Sequence, residues 1–115
     1  MSDLLTPDIH AELLRNGRRS AAGEDFDPLP VVKLFTPDAG ACWLLTELDP
    51  QDPDLAFGLC DLGVGYPELG QVSLAELAGT RGRLGLPVER DRAFRPARTL
   101  SEYARLAVAE GRIRA

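Results

Sequence analysis

Two sets of side chains have the types and spacing to do chemistry. Pro37-Asp38 is followed, after eight intervening residues, by Glu47-Leu48-Asp49, a spacing at which two carboxylates at strand ends can share Mg²⁺ and assist phosphodiester hydrolysis. That chemistry also needs a cation on the phosphoryl oxygens, and Asp49 stands two places after the glutamate, where a lysine is expected. Asp38 and Glu47 are therefore kept only as an alternative metal pair, and turn formation alone explains Pro37-Asp38. The second set is Arg90, Arg92, Arg95 and Arg98. A guanidinium offers a planar fork that fits a carboxylate or a phosphate, so these four, with the single tryptophan Trp43, are the candidate binding residues. Two fates are open to the arginines. One or two of them pair with sheet carboxylates such as Glu47 or Glu68, because unpaired buried charge is costly, or they project to solvent and meet a partner.

The remaining polar signals read as structure. His10, the only histidine, has no orienting partner at a spacing that general-base work would need. Asp49, Asp52 and Asp54 lack the central glycine and closing glutamate of a helix–loop–helix calcium site. Gly63-Val64-Gly65 has Glu68 where the third glycine of a dinucleotide-binding turn belongs, so it reads as a turn into a strand. No nucleophile–base pair, metal cluster or phosphate loop is visible, and no catalytic residue, resident metal or cofactor is expected.

The elements that must position these residues are legible from patterning. Val31–Phe35 and Cys42–Leu48 are rich in β-branched, aliphatic and aromatic residues around Thr36-Pro37-Asp38-Ala39-Gly40, which predicts two strands and a turn, with Trp43, Leu45 and Glu47 on one face and Cys42, Leu44 and Thr46 on the other. A third strand is expected over Leu55–Leu62, after a turn at Asp49–Asp54, and a fourth near Leu69–Val72. Thr6-Pro7-Asp8 opens a helix with Ile9, Leu13 and Leu14 on its apolar stripe and Gly17 as its left-handed end. Ser73 with Glu76 and Thr99 with Glu102 have the spacing of capping boxes, the first flanked by Val72 and Leu77 as a hydrophobic staple. The charged stretch Gly85–Pro96 suits an edge strand or ordered loop with Val88 and Phe94 as anchors, and a bend is expected between them. The order predicts an α+β fold: a small antiparallel sheet of three to five strands, with an N-terminal, a short middle and a C-terminal helix packed on it and one face covered. Residues 1–115 read as one domain, with 18–30 as a flexible loop.

At 115 residues and 44% hydrophobic, the chain can build one core without staples. Its start, Met1-Ser2-Asp3-Leu4-Leu5, lacks a basic region and an apolar signal core, and no apolar run is long enough for a membrane span. A cytoplasmic setting is expected, with Cys42 and Cys60 as buried reduced thiols. The net charge of −5 is unevenly spread: residues 1–80 carry 4 basic and 14 acidic side chains, residues 81–115 carry 9 and 4. An acidic body folded against a basic C-terminal part accounts for this, and an arginine-lined patch for an acidic partner is the sharper alternative.

Several motifs, taken in order, resemble the bacterial domain-of-unknown-function family numbered 2958. They are Val31–Asp38 followed by Trp43, Phe57-Gly58-Leu59, Glu68-Leu69-Gly70 with Val72–Leu77, and Gly85–Asp91 with Phe94 and Pro96. The resemblance implies no activity that can be carried to a residue. It implies a setting on plasmids and other mobile elements, among proteins that process DNA. The leading expectation is a non-enzymatic accessory module that binds an as yet unknown protein partner in DNA transfer or defence. The alternatives are the metal-dependent hydrolase at Asp38 and Glu47 and direct nucleic-acid binding through Arg90, Arg92, Arg95 and Arg98. The acidic balance of the whole chain disfavours the last, because affinity there rests on phosphate neutralisation.

Overall fold

The computed structural model describes residues 4–115; Met1–Asp3, part of the start read above as lacking a signal core, lie outside the described residues. The elements are α1 (Pro7–Ala21), β1 (Val32–Phe35), β2 (Cys42–Asp49), β3 (Asp52–Asp61), β4 (Glu68–Ser73), α2 (Leu74–Gly79), β5 (Glu89–Arg90) and α3 (Leu100–Glu110). The strands form one antiparallel sheet in the order β4-β3-β2-β1-β5. The fold is α+β. β1 to β4 are joined in sequence as a meander, and the two-residue β5 closes the far edge beside β1.

Local chemistry starts each helix. The Thr6 hydroxyl accepts from the Ile9 amide at 3.2 Å, with Pro7 in the first turn. At α3, Thr99 and Glu102 exchange side-chain and backbone bonds as a full capping box. At α2 the Ser73 hydroxyl accepts from the Glu76 amide without the return bond of the full box expected there, and Asp54 in β3 accepts from the Ser73 hydroxyl at 2.6 Å and the Ala75 amide at 2.9 Å. The helix is thereby tied to the neighbouring strand as well as capped.

The sheet is covered on both faces, where one was expected. Leu34, Trp43, Leu45 and Leu48 pack with Leu13 of α1 and Leu74 and Leu77 of α2, while Leu44 and Leu59 pack with Leu100, Tyr103 and Ala107 of α3. Successive strand residues point to opposite faces, so the consecutive buried pair Leu44-Leu45 feeds both layers. The simple alternation expected along β2 also breaks. The register with β3 shifts between Leu45 and Glu47, a bulge that brings Leu48 rather than Glu47 into the layer of Trp43 and Leu45. The extra residue, Thr46, is buried but satisfied: its carbonyl accepts from the Asn16 side-chain amide at 2.9 Å, and its hydroxyl donates to the Phe57 carbonyl at 3.3 Å.

Gly17 does not end α1. The helix runs on to Ala21, and Gly17 is buried inside it. A Cβ placed there would stand 1.7 Å from the Leu48 carbonyl oxygen, so the glycine lets the helix lie directly on β2. Arg18–Ala21 are accordingly helical, not part of a loop. Residues 24–30 are irregular yet tied down: the Pro28 carbonyl accepts from the Leu100 amide at 2.9 Å, and Asp27 accepts from the amide and the hydroxyl of Ser101.

Candidate functional site

The bend between Val88 and Phe94 positions the arginines. Val88 is buried in the α1 layer and Phe94 packs on the α3 layer. Between them the chain leaves β5 and turns at Asp91–Phe94, where the Asp91 carboxylate accepts from the Ala93 amide at 2.9 Å and its carbonyl accepts from the Phe94 amide at 3.3 Å. The segment therefore wraps the β1 edge from one face of the sheet to the other.

This wrap separates the four arginines. Arg90 lies opposite Leu34 in the strand pair, on the α1 face, and its guanidinium donates to the Leu4 carbonyl at 2.7 Å. Arg92, Arg95 and Arg98 are exposed. Arg90, Arg92 and Arg95 line a cleft of about 300 Å³ whose apolar wall includes Ile9 of α1, Val31, Val32 and Phe94. Arg98 is not among its lining residues. Asp91 is the carboxylate of that lining, and it is shared: Lys33 stands 3.5 Å from it, and the Ala93 amide occupies its other oxygen. Two exposed arginines, Arg92 and Arg95, and the engaged Arg90 thus line an apolar wall with one engaged carboxylate. Such an arrangement can receive a carboxylate or phosphate and an adjoining apolar group.

The other candidates are not brought to this cleft. Trp43 is only 3% exposed, opposite Leu34 in the core, because the alternation of β2 turns it into the α1–α2 layer. Asp38 and Glu47 are not brought together either. Asp38 sits in the β1–β2 turn, where one carboxylate oxygen accepts from the Leu84 and Leu86 amides at 2.6 and 3.3 Å, while Glu47, near the far end of β2, accepts from the Ser20 hydroxyl at 3.0 Å. Sheet pairing sets the distance between them, and residue spacing along the chain does not. Among the ion pairs found in the described residues are Arg19–Glu24, Lys33–Asp91 and Arg114–Glu110. The expected use of Glu47 as an arginine partner is replaced by its bond to Ser20.

Sequence reasoning missed Ile9, Val31 and Val32 as cleft walls, and Lys33 as the partner of Asp91. No local signal could have supplied them, since Ile9 of α1 and the start of β1 meet the segment after β5 only in the folded chain. The cysteines lie on adjacent strands but one residue out of register, Cys42 opposite Asp61 and Cys60 opposite Trp43, so their side chains leave opposite faces of the sheet. Both thiols are free, and burial pushes each up to about 11 from 9.0. That keeps them protonated and poorly nucleophilic at neutral pH.

Fold and cleft together define a small α+β domain with a basic, half-apolar edge cleft. The chain belongs to the family described as protein of unknown function (DUF2958), whose model matches residues 4–114. No curated protein and no solved structure matches it. No helix of the described residues is long and apolar enough to cross a membrane, and no group of three or more His, Cys, Asp or Glu among them could hold a metal ion.

Proposed function

We propose that this domain is a cytoplasmic accessory module that binds a protein partner, and that the contact runs through the cleft of Arg90, Arg92 and Arg95. One observation carries the reading: the exposed Arg92 and Arg95 are gathered beside the engaged Arg90 on an apolar wall with a single, already engaged carboxylate. Interfaces favour arginine because its flat, weakly hydrated head can bond a carboxylate while its stem packs on apolar surface. An acidic segment of a partner carrying an apolar side chain fits both parts of the cleft. The mobile-element setting implied by the family resemblance makes a component of DNA transfer or defence the natural partner. An overall charge of −5 works against a polyanion as large as DNA, whose binding draws on the field of the whole protein.

The test compares proteins recovered from the native host by crosslinking to the wild type and to the double variant Arg92→Glu/Arg95→Glu. Both arginines are exposed, so the reversal spares the fold. A partner recovered by the wild type and lost from the variant is the expected result. Identical recovery by both, or recovery of nucleic acid alone, counts against the reading.

A further inference from the structure

The edge of a sheet is a row of unpaired amides and carbonyls, and native proteins blunt it with short strands, charges, prolines, bulges or a covering segment. The two edges of this sheet differ in that respect. At one, β5 has only two residues, and the charged segment Arg90-Asp91-Arg92 wraps past it. At the other, β4 runs for six residues, Glu68–Ser73, in unbroken register with β3 from Cys60↔Glu68 to Leu55↔Ser73. It has no proline, and Glu68 is its only charge. Among the described residues no strand pairs with its outer side, where alternate residues direct their amides and carbonyls away from β3. Glu68, Leu69 and Gln71 are exposed, and a Cβ on Gly70 would meet nothing within 4 Å, so no other element closes over the strand there.

A free edge of this kind takes another extended strand, and the residues of β4 suit a second copy of themselves. A twofold axis normal to the sheet pairs β4 with β4 antiparallel, and residues that meet must then belong to the same face. The axis therefore passes through a residue. Centred on Gly70, the pairing sets Gly70 against Gly70 of the second copy, Leu69 against Gln71, and Glu68 against Val72. No like charges stand opposite each other, and the residue on the axis has no side chain to clash with its copy. Ser73, whose hydroxyl is already held between Asp54 and the Glu76 amide, stays outside the pairing. Centring on Gln71 would instead draw Ser73 in, opposite Leu69.

We infer that the chain forms a symmetric dimer by antiparallel pairing of β4 with β4 of a second copy about Gly70, which joins the two sheets into one with five strands from each copy. The β1–β5 edge is left outermost, so each copy keeps its arginine cleft open at a far end of the joined sheet. The dimer does not depend on what that cleft binds. An interface one strand wide is small, so the association is weak and depends on concentration. The net charge of −5 on each copy opposes it, and salt tightens it by screening that repulsion.

Sedimentation velocity from micromolar to millimolar chain, at low and high salt, compares the wild type with Leu69→Lys/Gln71→Lys and Leu69→Lys/Gln71→Glu. Leu69 and Gln71 are exposed, so the changes spare the core. The wild type is expected to pass from monomer to dimer as its concentration rises, more readily in salt, while amide exchange in β4 slows. The double-lysine variant stays monomeric although its net charge is less negative, because like charges then stand opposite each other on both sides of the axis. The lysine–glutamate variant recovers the dimer, because opposite charges meet there instead, and that recovery separates lost pairing from lost folding. A wild type that is monomeric throughout, a dimer that survives the double-lysine change, or species larger than a dimer overturns the inference. So does a lysine–glutamate variant that remains monomeric, since Leu69 and Gln71 are then not opposite each other.

Discussion

Gly17 and Arg90 show how single residues hold the frame of the cleft. With the Leu48 carbonyl 1.7 Å from any Cβ at Gly17, Gly17→Ala must lift α1 off β2, because the obstacle is backbone and cannot rotate away. A loss of about 1–3 kcal/mol, the usual range for overpacking, is expected; matching urea midpoints for the two proteins would show that the helix has room there. Arg90 differs from its exposed neighbours in kind. Its half-buried guanidinium holds the Leu4 carbonyl, and removing a charged donor from such a site costs about 1.5–3 kcal/mol. Arg90→Glu should therefore lower the thermal midpoint, whereas Arg92→Glu should leave it in place. Equal midpoints for all three proteins would show that the bond from Arg90 to the Leu4 carbonyl does not hold the fold. The sequence displays the four arginines plainly, yet their division into one inward and three outward depends on the β1–β5 register, which no local pattern encodes.

At the scale of elements, carboxylates do much of the tying. The Ser101 hydroxyl holds the Asp27 carboxyl below its ordinary value of 3.8, the Ser73 hydroxyl does the same for Asp54, and the Thr99 amide lowers Glu102 from 4.5. All three sit at the N-terminal end of a helix, where negative charge is favoured. Because each folded pKa lies below its unfolded value, protonation favours the unfolded chain. The contribution is complete above about pH 5, past the unfolded values, and drains away as the pH falls through these to the lower folded values. Urea midpoints should hold steady from pH 7 to about 5 and fall below that, and Asp27→Asn with Asp54→Asn should be less stable at neutral pH and flatter in acid. A double variant with the wild-type acid slope would refute the role of these caps. Thr6, Ser73 and Thr99 could be read as caps from sequence because their partners lie three residues away. Asp27 and Asp54 could not, since each bonds a helix distant in the chain.

At the scale of the molecule, the two-sided sheet is what makes the edge cleft possible. α1 covers one face and α3 the other, so the segment after β5 must cross the β1 edge to carry Val88 and Phe94 into different layers. Its arginines are left on the outside of the turn. Alternation places Glu47 on the face of Trp43 and Leu45 and predicts one covered face; the bulge turns Leu48 into that layer instead, and Asn16 and the Phe57 carbonyl satisfy Thr46 inside the core. The α+β class and the strand order in sequence were thus legible, and the layering was not. The most direct measurement of the cleft's role is an NMR titration following the side-chain Nε–Hε signals of Arg90, Arg92 and Arg95. The probes are a Glu/Asp-rich peptide carrying one phenylalanine and, separately, a short DNA duplex. Saturable shifts of Arg92 and Arg95 with the peptide, weakened by salt and absent for the Arg92→Glu/Arg95→Glu chain, are the predicted result. Unmoved arginine signals, or tighter binding to the duplex than to the peptide, would contradict it.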